Sequence, residues 1–439
     1  KLTILLFCLL LPCPAALAQV FDVGPGQANE HLRAIDWDGL KPGDVVNIHA
    51  RPEPYREKLI IRPSGTRKQP IIIRGISDED GNKPVIDGEN ALAFQKTDVN
   101  LSRRALIIIG GHKNRADHII LDNLELRNAN NKLQFIYDNK YEDYADNGAA
   151  VFVQNGRNVT IENCHIHSCC MGIQTAYYPN VDNFVLRGNY IHNNGDFTRQ
   201  RWGHNVYLQG KRTLIEFNRF GEMYSDGNNI KDRSQAVIIR YNWIQGGMSR
   251  QIDLVETEHY PVANAWVYGN VIISGQRTKN PKMILFGGDL PEKDLSRSGI
   301  LYFFNNTVHF VQNRMDAFIY INREDCGSLI LNNAFVGGGL SPAITMGPTF
   351  AAGAHNLIPK NTTAPGFTNT VHGSFEQFRS ISGMPYFPYS TSLLVNNGTN
   401  KVPAKVKYMP SPEPGRKIPR PSFGPMDIGA YEYFRPPKK

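Results

Sequence analysis

Residues 237–244 read VIIRYNWI, an apolar run rich in β-branched residues followed by a turn, an asparagine and a second short apolar run. The same pattern recurs along the chain, each time with its asparagine. The eight asparagines are Asn123, Asn163, Asn189, Asn218, Asn242, Asn270, Asn306 and Asn333. Successive asparagines lie between 24 residues (Asn218 to Asn242) and 40 residues (Asn123 to Asn163) apart. Periods of this length are typical of architectures built from stacked repeats.

Each repeat contains short strand-like runs separated by Gly, Asn and Asp turns, and helical periodicity is almost absent. A propeller blade would need four strands and a signature of its own. Units of about 25 residues suit one coil of a parallel β-helix, whose coils stack about 4.8 Å apart. At a turn, an asparagine amide donates to one neighbouring coil and accepts from the other, forming a ladder. The repeat therefore predicts an all-β chain folded as a single parallel β-helix solenoid.

The two ends depart from the repeat, as solenoid ends must, because an uncovered coil exposes strand edges and core. We predict a short helical cap at residues 27–40 and an extended Pro-rich tail at 402–425 that lies back along the solenoid. An apolar run that ends in Ala16-Leu17-Ala18 is typical of a signal peptide. The predicted division is a signal peptide at 1–18, the β-helix at 19–353, and C-terminal coils with the tail at 354–439.

The formal net charge of the chain is +8. With the predicted signal peptide and no later segment apolar enough to span a membrane, we expect a secreted or periplasmic monomer. A basic surface on an exported protein suits an acidic partner such as an acidic polysaccharide. No zinc-finger, nucleotide-loop or aromatic RNA-binding signature favours nucleic acid.

Residues 225–234, SDGNNIKDRS, form the one densely charged turn of this apolar repeat. The strand after this turn aligns with the strands of the coils before and after it, HNVYLQG at 204–210 and QIDLVET at 251–257. The inward residues of this alignment are Val206, Ile230 and Ile252. Because side chains alternate along a strand, Lys231 and Arg233 are predicted to point outward, with Tyr207 and Asp253 on the rungs beside Lys231.

The same alignment places Asn205, Gln209, Asn229 and Gln251 on the outward face. Asp232 would point inward, which requires either a register slip or a buried polar network. Flanking loops add Arg199, Arg201, Trp202, His204, Glu222, Asp226, Arg250 and Glu256.

The repeat, the segment PGDVVNI at 42–48 and the segment GPMDIGAYEY at 424–433 resemble secreted right-handed parallel β-helix proteins of the pectate-lyase-like superfamily. This resemblance implies a right-handed solenoid over nearly the whole mature chain. The superfamily contains lyases, hydrolases, epimerases, esterases and binding proteins, so the function has to be argued from the site.

Cleavage of a uronate by β-elimination needs cations or donors on the carboxylate, a base for the C5 proton and an acid for the departing O4. A lysine whose pKa is lowered by nearby arginines can serve as the base, and Arg, His or Tyr can assist the leaving oxygen. The residues expected to act in catalysis are Lys231, Arg233, Arg250, His204 and Tyr207. The residues expected to contact substrate are Asn205, Gln209, Arg201, Trp202, Asn229, Gln251 and Asp253.

The segment NNIKDRSQAVIIRYNWI also resembles the catalytic coil of the alginate lyase and chondroitinase B family. The resemblance implies that Lys231 is the base and that an upstream acidic pair holds calcium. Here Asp226 matches one acidic position and Tyr224 stands at the other, so Asp226 and Glu256 are the residues offered as calcium ligands. The family's arginine acid has no in-register counterpart, and Arg250 lies only near that position.

The sequence therefore favours a lyase acting on an acidic, uronate-containing polysaccharide. Three alternatives remain: a β-helix glycoside hydrolase, which needs two or three carboxylates at one site; a C5-epimerase, which begins with the same proton abstraction; and a glycan-binding solenoid without catalysis. The carboxylates available to a hydrolase are Asp226, Asp232, Asp253 and Glu256.

Overall fold

The computed structural model describes residues 18–199, 203–256, 262–289, 297–339, 342–349, 351–362, 364–422 and 424–434. The predicted signal peptide lies outside the described residues except for Ala18, and so do Arg201 and Trp202. Within the described residues the regular secondary structure is almost entirely short β-strands, and each central coil contributes one strand to each of three long parallel sheets. The predicted all-β parallel β-helix solenoid is confirmed.

The first sheet has thirteen strands. They are Val20–Val23, Val45–His49, Ile71–Ile76, Ile119–Asp122, Thr160–Glu162, Phe184–Arg187, Arg212–Glu216, Ala236–Arg240, Ala265–Tyr268, Gly299–Phe304, Cys326–Leu331, Ala351–Ala354 and Phe367–Thr368. The second sheet, called the groove sheet below, has ten strands. They are Leu59–Ile61, Ala105–Ile109, Ala149–Val153, Met171–Thr175, His204–Leu208, Ile230–Asp232, Ile252–Leu254, Lys282–Phe286, Ala317–Ile321 and Ala343–Met346.

The third sheet has eleven strands. They are Val85–Asp87, Glu125–Arg127, His165–His167, Tyr190–His192, Arg219–Phe220, Trp243–Gln245, Val271–Ile273, Thr307–Phe310, Ala334–Gly337, Leu357–Ile358 and Val371–His372. The shorter ribbons are Ala91–Ala93 with Gln134–Tyr137 and Lys140–Asp143, Gly156–Arg157 with Val181–Asp182, Phe378–Ile381 with Met384–Pro388, and Tyr408–Met409 with Ile418–Pro419.

The core runs through the middle of the solenoid, where one inward residue of each strand stacks on its counterpart in the next coil. On the groove sheet Val206 pairs with Ile230, Ile230 with Ile252, and Ile252 with Ile284. All four side chains are buried. This is the register predicted from the sequence, and burial of each such aliphatic side chain contributes about 1.5–3 kcal/mol.

An asparagine ladder joins the first sheet to the third. At Asn270 the side-chain oxygen accepts from the backbone N–H of Asn242 at 2.9 Å and from its Nδ2 at 3.0 Å. Asn270 Nδ2 in turn donates to the side-chain oxygen of Asn306 at 3.0 Å and to the carbonyls of Ile239 and Tyr268. The same geometry repeats at Asn189, Asn218, Asn242, Asn306 and Asn333, and Asn356 closes it at the end.

Two of the asparagines predicted for the ladder lie one residue before the ladder position of their coils. Asn123 and Asn163 have φ of 59° and 54°, the left-handed conformation that Gly188 and Gly269 adopt in later coils. In the coil of Asn163 the ladder position is occupied by Cys164. The backbone N–H of Cys164 donates to the side-chain oxygen of Asn189 at 2.9 Å. Asparagine tolerates the left-handed conformation better than most residues, so the same residue type serves both positions.

The N-terminal end is covered by the segment predicted as a helical cap, but its helix is a single 3-10 turn, Leu32–Ala34. The segment is held by burial: Leu32, Ile35, Trp37 and Leu40 all join the core. The only α-helix among the described residues is the short Val99–Ser102, and a second 3-10 turn lies at Phe375–Gln377. Apolar contacts with the first coils, rather than helical hydrogen bonds, fix the cap.

The C-terminal tail lies along the solenoid, as predicted. Val406 packs against the aromatic stack of Tyr241, Tyr268 and Phe304 outside the core. The backbone N–H of Lys407 donates to the Tyr241 hydroxyl at 3.0 Å.

Candidate functional site

The charged strand Ile230–Asp232 sits in the middle of the groove sheet. Lys231 pairs in register with Tyr207 on one neighbouring strand and with Asp253 on the other. Both neighbours were predicted from side-chain alternation alone. Stacked parallel strands place such in-register residues on one face, about 4.8 Å apart from coil to coil.

A long groove follows this face of the sheet. One hollow, of about 710 Å³, is lined by Asp226, Asn228, Lys231, Arg250, Asp253 and Asp289 among others. A second hollow, of about 620 Å³, includes Tyr207 and Arg199 in its wall. His204, Lys231 and Arg233 line both hollows, so these three side chains mark the point where the hollows meet.

Lys231 is held between two carboxylates. Its Nζ lies 3.4 Å from Asp253 Oδ2 and in closer contact with Asp289 Oδ2. Burial lowers the pKa of Lys231, but Asp253 and Asp289 outweigh burial, and the net pKa lies above that of an ordinary lysine. The expectation of a lysine pKa lowered by arginines is therefore wrong for the free protein, because Asp289 adds a second negative charge.

The two carboxylates beside Lys231 have pKa values shifted in opposite directions. Asp253 is fully buried, and burial raises its pKa despite Lys231 and Arg250. For Asp289 burial is outweighed by Lys231 and Arg250, so its pKa is lowered. Arg250 joins the two, with its Nη1 3.0 Å from Asp253 Oδ1 and 3.8 Å from Asp289 Oδ1. Asp253 is therefore the carboxylate that more readily accepts a proton.

Arg233 stands next to Lys231 on the same strand face, as predicted. It pairs with the buried carboxylate of Glu256 and lies over the ring of Tyr207, with 5.7 Å between the guanidinium carbon and the ring centroid. Burial lowers the pKa of Arg233, but Tyr207 and Glu256 raise it above its usual range. Arg233 is thus a fixed cation beside the Tyr207 ring.

His204 contributes a neutral imidazole. Its Nδ1 accepts the backbone N–H of Asn228 at 3.0 Å, so its ring hydrogen resides on Nε2. Burial, and then the positive charge of Lys231, lower the pKa of His204 to about 3. The ring therefore offers a hydrogen-bond donor to the groove and does not act as a base through Nδ1.

A buried ionic network lies beneath the charged strand. Asp232 points inward, as the alignment predicted, and its carboxylate accepts from Ser234 N–H at 2.9 Å and from Arg297 Nη2 at 3.2 Å. The side chains of Asp232 and Arg297 are both 0% exposed. Arg297 also donates to the Val255 carbonyl at 2.9 Å and to the Ser234 carbonyl at 2.7 Å. The register therefore holds without a slip, and the network anchors the strand that carries Lys231.

Four residues predicted to contact substrate are buried: Asp253, which still lines one hollow, and three residues at a turn. Asn205, Asn229 and Gln251 are fully buried and form a second amide ladder at the turn before the groove sheet. Asn205 Nδ2 donates to the Asn229 side-chain oxygen at 2.6 Å, and Asn229 Nδ2 donates to that of Gln251 at 2.9 Å. Asn229 and Gln251 lie just before their strands, where the chain still turns, and Asn205 is only the second residue of the strand His204–Leu208. Strand alternation therefore does not give the direction of these side chains. Gln209, at the other end, is half-buried and donates to the Thr175 carbonyl at 3.2 Å.

The residues offered as calcium ligands do not form one site. Asp226 is exposed and pairs with Lys279 at 2.7 Å. Glu256 is buried, where it holds Arg233 and accepts the Asp289 N–H at 2.6 Å. Calcium prefers six to eight oxygen ligands around one point, and each of these carboxylates already has a cationic partner. The pair does not fit a calcium ion.

The structure brings together five of the residues predicted for the site, which are Lys231, Tyr207, Asp253, Arg233 and Arg250. Asp289 and Arg297, which complete the groove and the network below it, were not predicted. Asp289 ends the segment MILFGGD at 283–289, and its position after a Gly-Gly pair, just beyond the strand Lys282–Phe286, is the signal that the sequence offers. Arg297 carries no local signal, because it reaches Asp232 from a loop 65 residues away.

Residues 119–315 match the family model described as a right handed beta helix region. Pectate lyase Pel9A has a TM-score of 0.57 with 12% identity, covering 95% of this chain and 97% of its own. The chain has the right-handed parallel β-helix fold of pectate-lyase-like proteins.

An alginate lyase from Paenibacillus sp. str. FPU-7 has a TM-score of 0.50 with 12% identity, covering 80% of this chain and 99% of its own. The GH136 lacto-N-biosidase from Eubacterium ramulus has a TM-score of 0.44 with 13% identity, covering 81% of this chain and 67% of its own. A comparison with curated proteins finds no match. At these identities the pectate lyase and alginate lyase structures show the fold alone. Among the described residues, no helix has the length and apolar character needed to cross a membrane.

Proposed function

We propose that the protein is a polysaccharide lyase that cleaves a uronate-containing chain by β-elimination, with Lys231 as the base. The observation that carries this proposal is the position of Lys231. It lies where the two hollows of the groove meet, between Tyr207 on one coil and Asp253 on the other. A long groove suits a polymer, because sugar units of the polymer can be bound on both sides of the reacting bond.

In β-elimination the base removes the proton on C5 of the uronate, and the electron pair of that bond becomes a C4–C5 double bond. The bond from C4 to the bridging oxygen breaks, and this oxygen receives a proton. Negative charge develops on the uronate carboxylate, so fixed cations at that carboxylate lower the barrier. Arg250 and Arg233, which line the groove on either side of Lys231, are the cations suited to this role.

Lys231 has to lose a proton before it acts as the base, because its pKa is raised in the free protein. Bound polymer displaces water from the groove, and a drier site favours the uncharged forms of a neighbouring acid and base. Asp253, whose pKa is raised by burial, lies 3.4 Å from Lys231 Nζ and is the acceptor of this proton. Transfer leaves a neutral amine facing C5 and a neutral Asp253.

Tyr207 is the candidate acid for the leaving oxygen. It lies in register with Lys231 on the adjacent coil, so one residue faces C5 while the other faces the next sugar along the groove. The adjacent Arg233 stabilises negative charge that forms on the Tyr207 oxygen. His204, with its hydrogen on Nε2, adds a neutral donor at the same junction.

The test is incubation of the mature protein with alginate, pectate, chondroitin, dermatan, heparan and bacterial exopolysaccharides, followed by ultraviolet absorbance of the unsaturated uronate. We expect absorbance to grow with at least one polymer and to be lost in Lys231→Ala. Lys282→Ala is the matched control, a lysine on the same sheet outside both hollows. A Lys231→Ala variant as active as the wild type would show that the base is another residue.

A glycoside hydrolase is the second candidate, favoured by Asp253 and Asp289. Two carboxylates with oppositely shifted pKa values beside one groove are what an acid and a base or nucleophile require. Hydrolysis would produce new reducing ends without ultraviolet absorbance, and both Asp253→Asn and Asp289→Asn would abolish it. Exchange of the C5 hydrogen with solvent without cleavage would indicate an epimerase, and binding without any turnover would indicate a glycan-binding module.

A further inference from the structure

A cluster of metal-ligating side chains lies on the third sheet, away from the groove. Glu125, His165 and His167 each offer a ligand atom, and these atoms all lie within 4.8 Å of one another. It is the only such group of three found among the described residues. The groove lies on a different sheet, and none of its lining residues belongs to this cluster.

The stacking of the coils creates the cluster. Glu125 and His165 are in register on adjacent strands, and the next strand places His192 in register with His167. His165 and His167 are two residues apart on one strand, so both side chains leave the same face of the sheet. The three ligand residues are therefore fixed by strands and not by loops, which gives a site of defined geometry.

Two of the separations between ligand atoms are close to an edge of a coordination polyhedron. Nδ1 of His165 lies 3.5 Å from Oε2 of Glu125, and Nε2 of His167 lies 3.4 Å from Oε1 of the same carboxylate. Ligand bonds of 2.0–2.2 Å at a tetrahedral angle place neighbouring ligand atoms about 3.4 Å apart. The third separation, between the two imidazole nitrogens, falls within the 4.8 Å that contains all three ligand atoms.

The outer nitrogens of both histidines are already oriented. Nε2 of His165 lies 2.8 Å from Nε2 of His192, and Nδ1 of His167 lies 2.9 Å from the Ser168 hydroxyl. Histidine ligands usually use their second nitrogen in this way, which fixes the ring and its tautomer. Arg127 donates to Glu125 Oε1 at 3.1 Å and to Asp87 at 2.8 Å, so it steadies the carboxylate but also competes for one of its oxygens.

The ligands are also accessible. The side chains of His165, Glu125 and His167 are 30%, 20% and 17% exposed, so an ion can enter from solvent and keep water in its remaining positions. Imidazole nitrogens with a carboxylate oxygen suit zinc and similar divalent transition ions rather than calcium or magnesium.

We propose that Glu125, His165 and His167 bind a divalent transition-metal ion such as Zn²⁺ on the third sheet, independently of the groove. The ion links two adjacent coils through these three side chains. Its binding therefore stabilises the folded solenoid, because the unfolded chain does not hold the three ligands together.

The test is calorimetric titration of Zn²⁺ into the chelator-stripped full chain, together with thermal unfolding with and without the ion. We expect one zinc per chain and a higher midpoint of unfolding with zinc. The double variant His165→Gln/His167→Gln loses both effects, while His192→Gln, which orients His165, weakens binding about tenfold. X-ray absorption at the zinc edge should show two imidazoles and one carboxylate.

His112→Gln is the matched control, because His112 also faces a carboxylate, that of Asp98 at 3.5 Å, but has no second histidine. This control should bind zinc as the wild type does. Unchanged zinc binding in the double variant, or no binding by the wild type, would overturn the proposal. Circular dichroism of each variant without metal checks that the solenoid is folded, so that a loss of binding is assigned to the ligands.

Discussion

The buried pair of Asp232 and Arg297 offers the sharpest test of how the charged strand is held. Replacing Asp232 by alanine leaves the Arg297 guanidinium without a counter-charge in a site where both side chains are 0% exposed. Removing one partner of such a pair costs about 3–5 kcal/mol, because the remaining charge stays buried and uncompensated. Arg297 keeps its bonds to the Val255 and Ser234 carbonyls, so we expect the lower half of this range.

The assay is urea unfolding followed by circular dichroism, with the shift of the midpoint at unchanged slope giving the change in the free energy of unfolding. The double variant Asp232→Leu/Arg297→Met should be less destabilised than the sum of the two single variants, with a coupling energy of about 1–3 kcal/mol. Asp232→Asn, which keeps the shape and removes the charge, should fall between alanine and the wild type.

The matched control is the exposed pair of Arg212 and Asp182, which has two bonds of 2.9 Å but an arginine side chain that is 61% exposed. Arg212→Ala should cost no more than about 1 kcal/mol, because water screens an exposed pair. A loss below about 1 kcal/mol in Asp232→Ala as well would show that Asp232 does not compensate the buried guanidinium of Arg297, because removing the counter-charge of a buried cation costs more than this.

Three further predictions concern the groove and the ladder. Asp289→Asn removes a negative neighbour of Lys231 and so lowers the pKa of that lysine. If Lys231 is the base, the acid limb of the plot of kcat/KM against pH moves to lower pH. If Lys231 acts only as a cation, the alkaline limb moves instead. Lyase activity should survive incubation with EDTA, because the carboxylates offered for calcium have cationic partners; loss of activity restored by calcium alone would contradict this. Asn270→Ala should lower the free energy of unfolding by at least about 3 kcal/mol, since it leaves several buried polar groups unpaired. Asn163→Gly, at a left-handed position outside the ladder, should be close to neutral in the same urea titration.

The groove illustrates what alternation along a strand can predict. Lys231, Tyr207 and Asp253 were placed side by side from the sequence because parallel coils in register convert a spacing along the chain into a contact across it. Side-chain alternation gives the wrong direction for Asn229, because this residue lies just before the strand begins at Ile230. Asn229 is completely buried in an amide ladder. Its environment is therefore like that of the repeat asparagines and unlike that of a residue lining the groove.

The protonation state of the site was beyond sequence reasoning. It depends on the sum of burial and charge around Lys231, and the decisive charge, Asp289, comes from a segment 58 residues away. The segment at 27–40 shows the same limit, because its helical pattern was overridden by burial of Leu32 and Trp37 against the first coils.

The solenoid, the register of the coils around Lys231 and the strand on which the charged residues meet can all be predicted from the amino-acid sequence. These follow from a period of two along each strand and a repeated turn, both of which are local. Three contacts require the three-dimensional fold: Asp289 joins Asp253 at Lys231, Arg297 neutralises Asp232, and Glu125 meets two histidines on another face. Such contacts depend on where loops of unequal length rejoin the sheets and on how much water these loops exclude. Neither can be predicted from a local sequence pattern.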